Sequence, residues 1–400
     1  MKYKLKDIGT ITTGKTPSKK IVGAYGKKIN FLTPRDLNGQ RYSEYTERRL
    51  SLKGIECLKN YEVIPPSISV SCIGSDMGKV VFNKTPIVTN QQLNSISNIR
   101  KDIDPLYLYY LLYNKRILLK FMGSDRGSTM PILSKREFGN LEFEFPNLKT
   151  QKSISSRLDS LDKKIEVNSR INDNLLELAK AKFNQTYILP TNGFQKVPLG
   201  WERSKLDKII TFSNGYNFKR SDMLKAPEPL TYRIFKQGNI LIGGGLNDFG
   251  TKSWILKSKV KNLDRFVLKK WDLLMAMTDM KNKVAILGNT ALMNRNNQYI
   301  LNQRVGLIRS NNYNNISQIY LFLLTNSKSF LYNIRSKAHS GVQVNLSTKD
   351  IKKINLIIAP EEVNNNFNRF AKPIFEKMME NQVDNLTLNE IKQALLNNFF

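Results

Sequence analysis

The chain has 400 residues, 63 Lys and Arg against 33 Asp and Glu, a formal charge of +30 and 40% hydrophobic residues. That length supports two or three domains with real cores, and the composition excludes a disordered chain. The excess charge repels itself unless a polyanion neutralises it, so nucleic acid is the first expected partner and an anionic membrane surface the second.

No apolar run reaches membrane-spanning length, and the opening MKYKLKDIG has no signal-peptide core. A cytoplasmic protein with no membrane partner is expected. Cys57 and Cys72 are the only cysteines and His339 the only histidine. They offer no zinc cluster and no evident nucleophile–base pair, so no metal, cofactor or catalytic residue is expected. The two thiols read as reduced residues, and His339 reads as a solvated loop residue.

GTITTGKT, residues 9–16, fits the phosphate-loop pattern G-x-x-x-x-G-K-[ST]. Such a loop needs a buried strand before it and a helix opening at its Lys-Thr. Here the lead-in KYKLKDI alternates with polar residues, and Pro17 follows at once. No apolar strand ending in Asp is placed to hold Mg²⁺. The stretch reads instead as a strand entering a turn, with Gly14 supplying a permissive backbone.

Next along the chain, SISVSCIG (67–74) reads as a strand, YLYYLLYNKRILLKF (107–121) as one helix, and LEFEF (141–145) as a half-exposed strand. Past Pro146 comes a long helical stretch. Ile154, Leu158, Leu161 and Ile165 step by four, three and four, and Asn168, Asn172, Leu175 and Ala179 continue the steps. That is a coiled-coil seam with polar residues in its middle, although an ordinary amphipathic core helix shares the pattern.

The chain is then written a second time. LKDIGTITTGKT from Leu5 faces LDKIITFSNGYN from Leu206, with Gly14 opposite Gly215. VTNQQLNSI (88–96) faces ILNQRVGLI (300–308), which aligns Asn90-Gln91 with Asn302-Gln303. The helix from Pro105 faces IYLFLLTNSKSFLYNI (319–334), and GSTMPILSKREFGNLEFEFP faces GVQVNLSTKDIKKINLIIAP. DLLMAMTD (272–279) supplies another strand. A second long helix follows Pro360, with Val363, Phe367, Phe370 and Ile374 in the same steps and Asn381, Asn385 and Leu388 beyond them. Pro373 should kink this helix or start a fresh one. The repeat also judges the phosphate loop, because Lys15 and Thr16 stand opposite Tyr216 and Asn217.

Two globular domains, each followed by a long helix, resemble the specificity subunit of a Type I restriction-modification system. The similarity spans the chain and is sharpest at LDKKIEVNSRINDNLLELAKAKF (161–183), with GKTPSKK (14–20) and NFLTPRDLNG (30–39) also similar to the family. It implies an α+β chain with two repeated mixed α/β target-recognition domains, at 1–148 and 189–361. Helices at 149–188 and 362–400 would pack as an antiparallel coiled coil with pseudo-two-fold symmetry. The implied function is recognition of a bipartite double-stranded DNA target on behalf of two methyltransferase subunits and restriction/translocase subunits. Those partners would use S-adenosylmethionine, ATP and Mg, and this chain would perform no chemistry. The alternative is a standalone tandem DNA- or RNA-binding protein.

Base edges are read by Arg, Lys, Asn and Gln, and phosphates are held by Lys, Arg, Ser and backbone amides. The DNA-binding candidates in the first domain are Lys15, Lys20, Arg35, Asn38, Arg41, Lys79, Gln91 and Arg126, with Ser18 and Lys19 beside them. In the second they are Asn217, Lys219, Arg220, Lys236, Lys252, Lys281, Lys283, Gln303 and Arg304, with Asn239 and Asn282 beside them. Asn90 and Asn302 recur in both copies and serve either the fold or the reading. The helix-pairing and partner-docking candidates are Ile154, Leu158, Leu161, Ile165, Asn172, Leu175, Phe367, Phe370, Ile374, Asn381 and Leu388.

Overall fold

The computed structural model describes residues 1–400 except 38, 43, 125–130, 281–283 and 341–342. The chain forms two compact units, Met1–Ile165 with Thr387–Phe400 (unit 1) and Glu166–Leu386 (unit 2). Unit 1 carries β1 (Lys2–Lys4), β2 (Thr10–Thr13), β3 (Tyr25–Leu32), β4 (Arg48–Leu50), β5 (Glu62–Val63), β6 (Ser67–Ser71), β7 (Val80–Asn83), β8 (Ile87–Thr89), β9 (Leu93–Ser97) and β10 (Glu142–Glu144). Unit 2 carries β11 (Glu202–Lys205), β12 (Ile210–Asn214), β13 (Thr231–Phe235), β14 (Trp254–Leu256), β15 (Leu273–Ala276), β16 (Thr278–Met280), β17 (Thr290–Leu292), β18 (Tyr299–Leu301), β19 (Val305–Ser310), β20 (His339–Ser340), β21 (Gln343–Asn345) and β22 (Asn355–Ile358). His339, expected in a loop, begins a short strand.

The repeat in the sequence is a repeat in topology. Unit 1 has a sheet ordered β2-β9-β6-β7, and unit 2 has β12-β19-β15-β17. Beside the first lies β4-β3-β8-β5, and beside the second lies β14-β13-β18. The parallel pairs β3–β8 and β13–β18 correspond. Even single contacts recur, since Leu5 N donates to Leu141 O and Leu206 N to Ile354 O, each at 2.9 Å. Apolar residues that alternate along these strands fill the cores, with Ile68, Val70 and Ile96 fully buried in unit 1 and Leu273, Met275 and Ile308 in unit 2, and the helical Leu108 and Leu321 pack against them. Burial of each such side chain contributes roughly 1.5–3 kcal/mol.

GTITTGKT is a strand and a turn, as read. Its Thr10–Thr13 is β2, and Lys15 N donates to Thr89 O at 2.9 Å with no helix opening at Thr16. Gly14 is required by close approach rather than by an unusual backbone angle. A Cβ there would lie 2.2 Å from Thr89 O, and one on Gly215 would lie 2.3 Å from Asn302 O.

Two expectations need correction. Each helix read as continuous after Pro105 and Gln318 is two helices, Pro105–Asn114 with Arg116–Ser124 and Gln318–Thr325 with Lys328–Ser336. In the second pair Asn326 turns aside to bond Thr290, and Ser327 caps the next helix by accepting from Phe330 N at 3.3 Å. Of the two outcomes expected at Pro373, the fresh start is overturned, since one helix, Glu361–Phe399, carries through it. Pro373 is exposed, so the carbonyl deprived of its donor can turn to water.

The central helix is Leu148–Phe183. Within each unit, its residues and those of the C-terminal helix run antiparallel. In unit 1 Lys392 Nζ donates to Asp162 at 2.7 Å. In unit 2 Asn168 donates to Asn385 at 3.0 Å, Asn381 donates to Asn172 at 2.9 Å, and Asn172 donates to Met378 O at 3.0 Å. Asn168 and Asn381 are buried, so these amides fix the register at some cost in stability.

The buried stripe is wider than a coiled-coil seam. Leu158 and Phe367 are fully buried, whereas Ile154, Leu161, Ile165, Leu175, Phe370, Ile374 and Leu388 are half-buried. In unit 1 the polar Gln151, Ser155 and Asp162 are buried along with Leu158, because the helix also faces the globular part. Gln151 donates to Asp102 O and Pro146 O, and Ser155 donates to Asp104 at 2.5 Å. In unit 2 Phe375 packs edge-on against Phe322, and Ala371 and Met379 are buried beside it.

Candidate nucleic-acid interface

One end of each four-stranded sheet gathers polar loops. In unit 1, β2 and β6 finish there and β9 and β7 start there. Lys15, Thr16 and the 18–20 turn leave β2, and Gln91 and Gln92 precede β9. Thr16 Oγ1 donates to Gln91 Oε1 at 2.7 Å, and Cys72 N donates to Gln92 O at 2.8 Å. Thr33–Asp36 closes the cluster, because Asn90 N donates to Leu32 O at 3.0 Å. Lys15 Nζ lies 5.3 Å from the Tyr61 ring centre, which holds an exposed cation over an aromatic face.

Unit 2 rebuilds this end with other side chains. Gln303 N donates to Tyr216 O at 2.9 Å, Asn302 N to Phe235 O at 3.1 Å, and Met277 N to Arg304 O at 3.2 Å. Thr278 Oγ1 donates to Gln237 Oε1 at 2.6 Å. Asn217, Lys219, Arg220, Lys252, Gln303 and Arg304 are exposed here and along the adjoining turns.

One carboxylate at each of these ends is occupied. Asp36 accepts from Thr33 N, Thr33 Oγ1 and Glu47 N at 2.7–2.8 Å. Asp279 accepts from Met280, Ile286 and Leu287 backbone N–H groups. The charge of Asp36 and Asp279 is thereby drawn toward the backbone, while the cations named above are exposed. That arrangement suits a polyanion.

The sequence-based candidates divide on inspection. Lys15, Lys20, Arg35 and Gln91 are exposed in unit 1. Asn38, Arg126, Lys281, Asn282 and Lys283 lie outside the described residues. Arg41 is a correction. It is 5% exposed, and its Nη1 donates to Asp159 at 2.5 Å and to Tyr110 OH at 3.1 Å. Tyr110 in turn donates to Asp162 at 2.8 Å. A cation so enclosed ties the globular part to the central helix and offers nothing to a phosphate. Lys236 is likewise engaged, donating to Ser253 Oγ at 2.9 Å, and burial lowers its pKa. Lys79 pairs with Asp76 at 2.8 Å. Asn90 is buried, with Nδ2 donating to Gln92, and Asn239 is buried with Nδ2 donating to Asn247 O; both serve the fold.

Several residues escaped the sequence reading. Gln92, Gln237 and Thr278 sit at the sheet ends, and cation–aromatic pairs line the edge strands. Arg48 lies 5.5 Å from the Tyr25 ring centre, and Lys257 lies 4.9 Å from that of Tyr232. Basic residues interleaved with aromatics in AYGKKINF, with the arginine pair of TERRL, were the available signal.

No group of three or more His, Cys, Asp or Glu among the described residues could hold a metal ion. No helix among them is long and apolar enough to cross a membrane. Burial pushes the Cys72 thiol up to about 12, against hydrogen bonds from Asn94 that lower it, so it stays neutral and inert.

Comparison with known proteins follows the same division. The family model for the Type I restriction modification DNA specificity domain matches twice, at residues 1–177 and 198–391. The chain is 26% identical to the Type I restriction enzyme MjaIX specificity subunit of Methanocaldococcus jannaschii, covering 98% of this chain and 90% of that one. It is 27% identical to the MjaVIII specificity subunit of the same organism, over 76% of this chain and 72% of the relative. The solved S subunit of the Type I restriction-modification system from M. genitalium covers 100% of this chain and 96% of its own, with a TM-score of 0.61 at 14% identity, and so shares the fold. Two copies of one topology, each ending in a basic, loop-built sheet end and each matched by the same family model, place the chain among the specificity subunits of Type I restriction-modification systems.

Proposed function

We propose that the chain reads a bipartite double-stranded DNA target, one half with each unit, and brings partner enzymes to it. The observation that carries this reading is the recurrence of the same polar sheet end in both units with different exposed side chains. Common topology with different readers suits two different half-targets. The chemistry belongs to the partners, two methyltransferase subunits and restriction/translocase subunits, which use S-adenosylmethionine, ATP and Mg in the cytoplasm. This chain supplies recognition alone.

The helices support partner docking. In unit 2, Val167, Ile171 and Leu178 are 48%, 39% and 50% exposed on the central helix, at spacings that share one face. That face lies outside the asparagine-bearing seam and suits an apolar helix from a methyltransferase.

The test is to coexpress the chain with its methyltransferase and map methylated sites in host DNA. Exchanging residues 191–360 for those of a relative should change one half of the target and leave the other intact. A change in both halves, or in neither, would overturn independent reading.

A further inference from the structure

Unit 2 displays an apolar tip on a clamped loop. Leu241 and Ile242 are 45% and 69% exposed, and Gly243, Gly244 and Gly245 follow with φ of +86°, +99° and +113°. Such angles belong to glycine, so the turn is written into the sequence. The tip is held from below. Gly243 N donates to Asn289 Oδ1 at 3.3 Å, and Gly245 N donates to Thr290 O at 2.9 Å. Asn289 is buried, and its Nδ2 donates to Asn326 at 3.2 Å.

The clamp fixes where the tip sits. Thr290 opens β17 at the sheet end where β12 and β15 finish and β19 starts. The tip therefore stands at one corner of the end that carries Gln237, Gln303 and Arg304. The loop returns beside that cluster, with Asn247 Nδ2 donating to Gly238 O at 3.1 Å and Lys252 exposed beyond it. Asp248, the acid in the loop, is buried and accepts from Tyr299 OH at 3.0 Å and from Arg295. What faces solvent is apolar and cationic, with Phe249 65% exposed beyond the aliphatic tip.

Leu241 and Ile242 stand side by side on one exposed tip rather than scattered singly. Aliphatic side chains meet nucleic acid at thymine methyl groups and at unstacked base steps. In unit 1 the described residue paired to the matching edge strand is turned the other way, since Arg41 O accepts from Phe82 N at 2.9 Å and the Arg41 side chain points inward to Asp159.

On the reading of the sheet ends as DNA-facing, we infer that Leu241 and Ile242 make an apolar contact with bases and help select the half-target read by unit 2. The experiment uses the full chain coexpressed with its methyltransferase and a pool of duplexes with randomised bases. The L241S/I242S double variant should lose about five- to thirty-fold of its preference at one or two positions of one half-target. Its slope of log affinity against log salt should stay unchanged, because no phosphate contact is removed. Its melting temperature should change by no more than a few degrees, because Ile242 is mostly in water and Leu241 is nearly half exposed. Arg304→Ala, measured in parallel, should lower the salt slope by about one. An unchanged base preference in the double variant, with the Arg304 effect present, would overturn the loop's role and leave the DNA-facing end standing. Loss of the copurifying subunit with base preference intact would make the tip a protein contact and overturn it too. A wild-type protein that selects no sequence, with no Arg304 effect on the slope, would instead remove the reading on which the inference rests.

Discussion

Replacing Arg41 by alanine should weaken unit 1 and leave the salt dependence of DNA binding untouched. The guanidinium is 5% exposed, bonded to Asp159 and Tyr110, and stacked 4.3 Å from the Tyr42 ring centre. Breaking a buried ion pair by removing one partner costs about 3–5 kcal/mol. Here the stranded carboxylates keep other partners, Asp159 with Lys163 at 2.8 Å and Asp162 with Lys392 at 2.7 Å. The loss should therefore fall to about 2–3 kcal/mol. For a unit of this size that is a fall in Tm of roughly 5–10 °C. Calorimetry of the full chain reads the melting, and a salt series of DNA affinities reads the charge. A variant that melts like the parent while its salt slope drops by about one would show Arg41 on a phosphate, and the buried-network account would fail.

The asparagine ladder should act as a register device. Asn381→Leu, which leaves Asn172 without its 2.9 Å donor, should change stability by only about 1 kcal/mol but broaden the amide signals of the helix pair in NMR spectra; sharp single signals would count against it. Because Asn168 faces Asn385 and Asn172 faces Asn381, lengthening the helices needs matched insertions after Asn168 and before Asn385. Four residues in each add about 6 Å, which should lengthen the spacer between half-targets by one or two base pairs and leave the bases read unchanged. Methylation mapping decides, and an unchanged spacer with full activity would show that the helices do not set it. Acid should loosen unit 1 through Asp159. Burial raises its pKa, but Lys163 and Arg41 outweigh burial and hold it below the ordinary 3.8. Its stabilising share is present above 3.8 and is lost as pH falls through the lower folded value, so Asp159→Asn should flatten the acid limb of a melting-temperature profile. An acid limb as steep as the parent's would refute that assignment.

The duplication was legible because both copies need the same backbone contacts. Gly14 and Gly215 meet carbonyls that a Cβ would strike, and Leu5 and Leu206 fill the same corner, so these types recur. The asparagines of the helix pair were legible through their spacing. Arg41 was not, since an arginine in a polar loop reads the same whether it faces water or two aspartates more than a hundred residues away. The turned face of the central helix was hidden for a related reason. Gln151 and Ser155 look like solvent positions until Asp102 and Asp104 are brought beside them. The sheet ends were found only in part, because Gln237 and Thr278 are separated in the chain and joined by the fold.

Unit 1 is assembled from two segments that synthesis separates. Leu396 is fully buried in the core that Leu5 and Tyr110 share, and Lys392 reaches Asp162 across 230 positions of chain. Unit 2 is a single stretch. On the ribosome, the second unit to be made can thus close first, while the first waits for residues near 396 to emerge. A nascent chain exposes the apolar face reserved for Leu396 throughout that interval, and a nonsense mutation late in the gene would injure the domain encoded at its beginning.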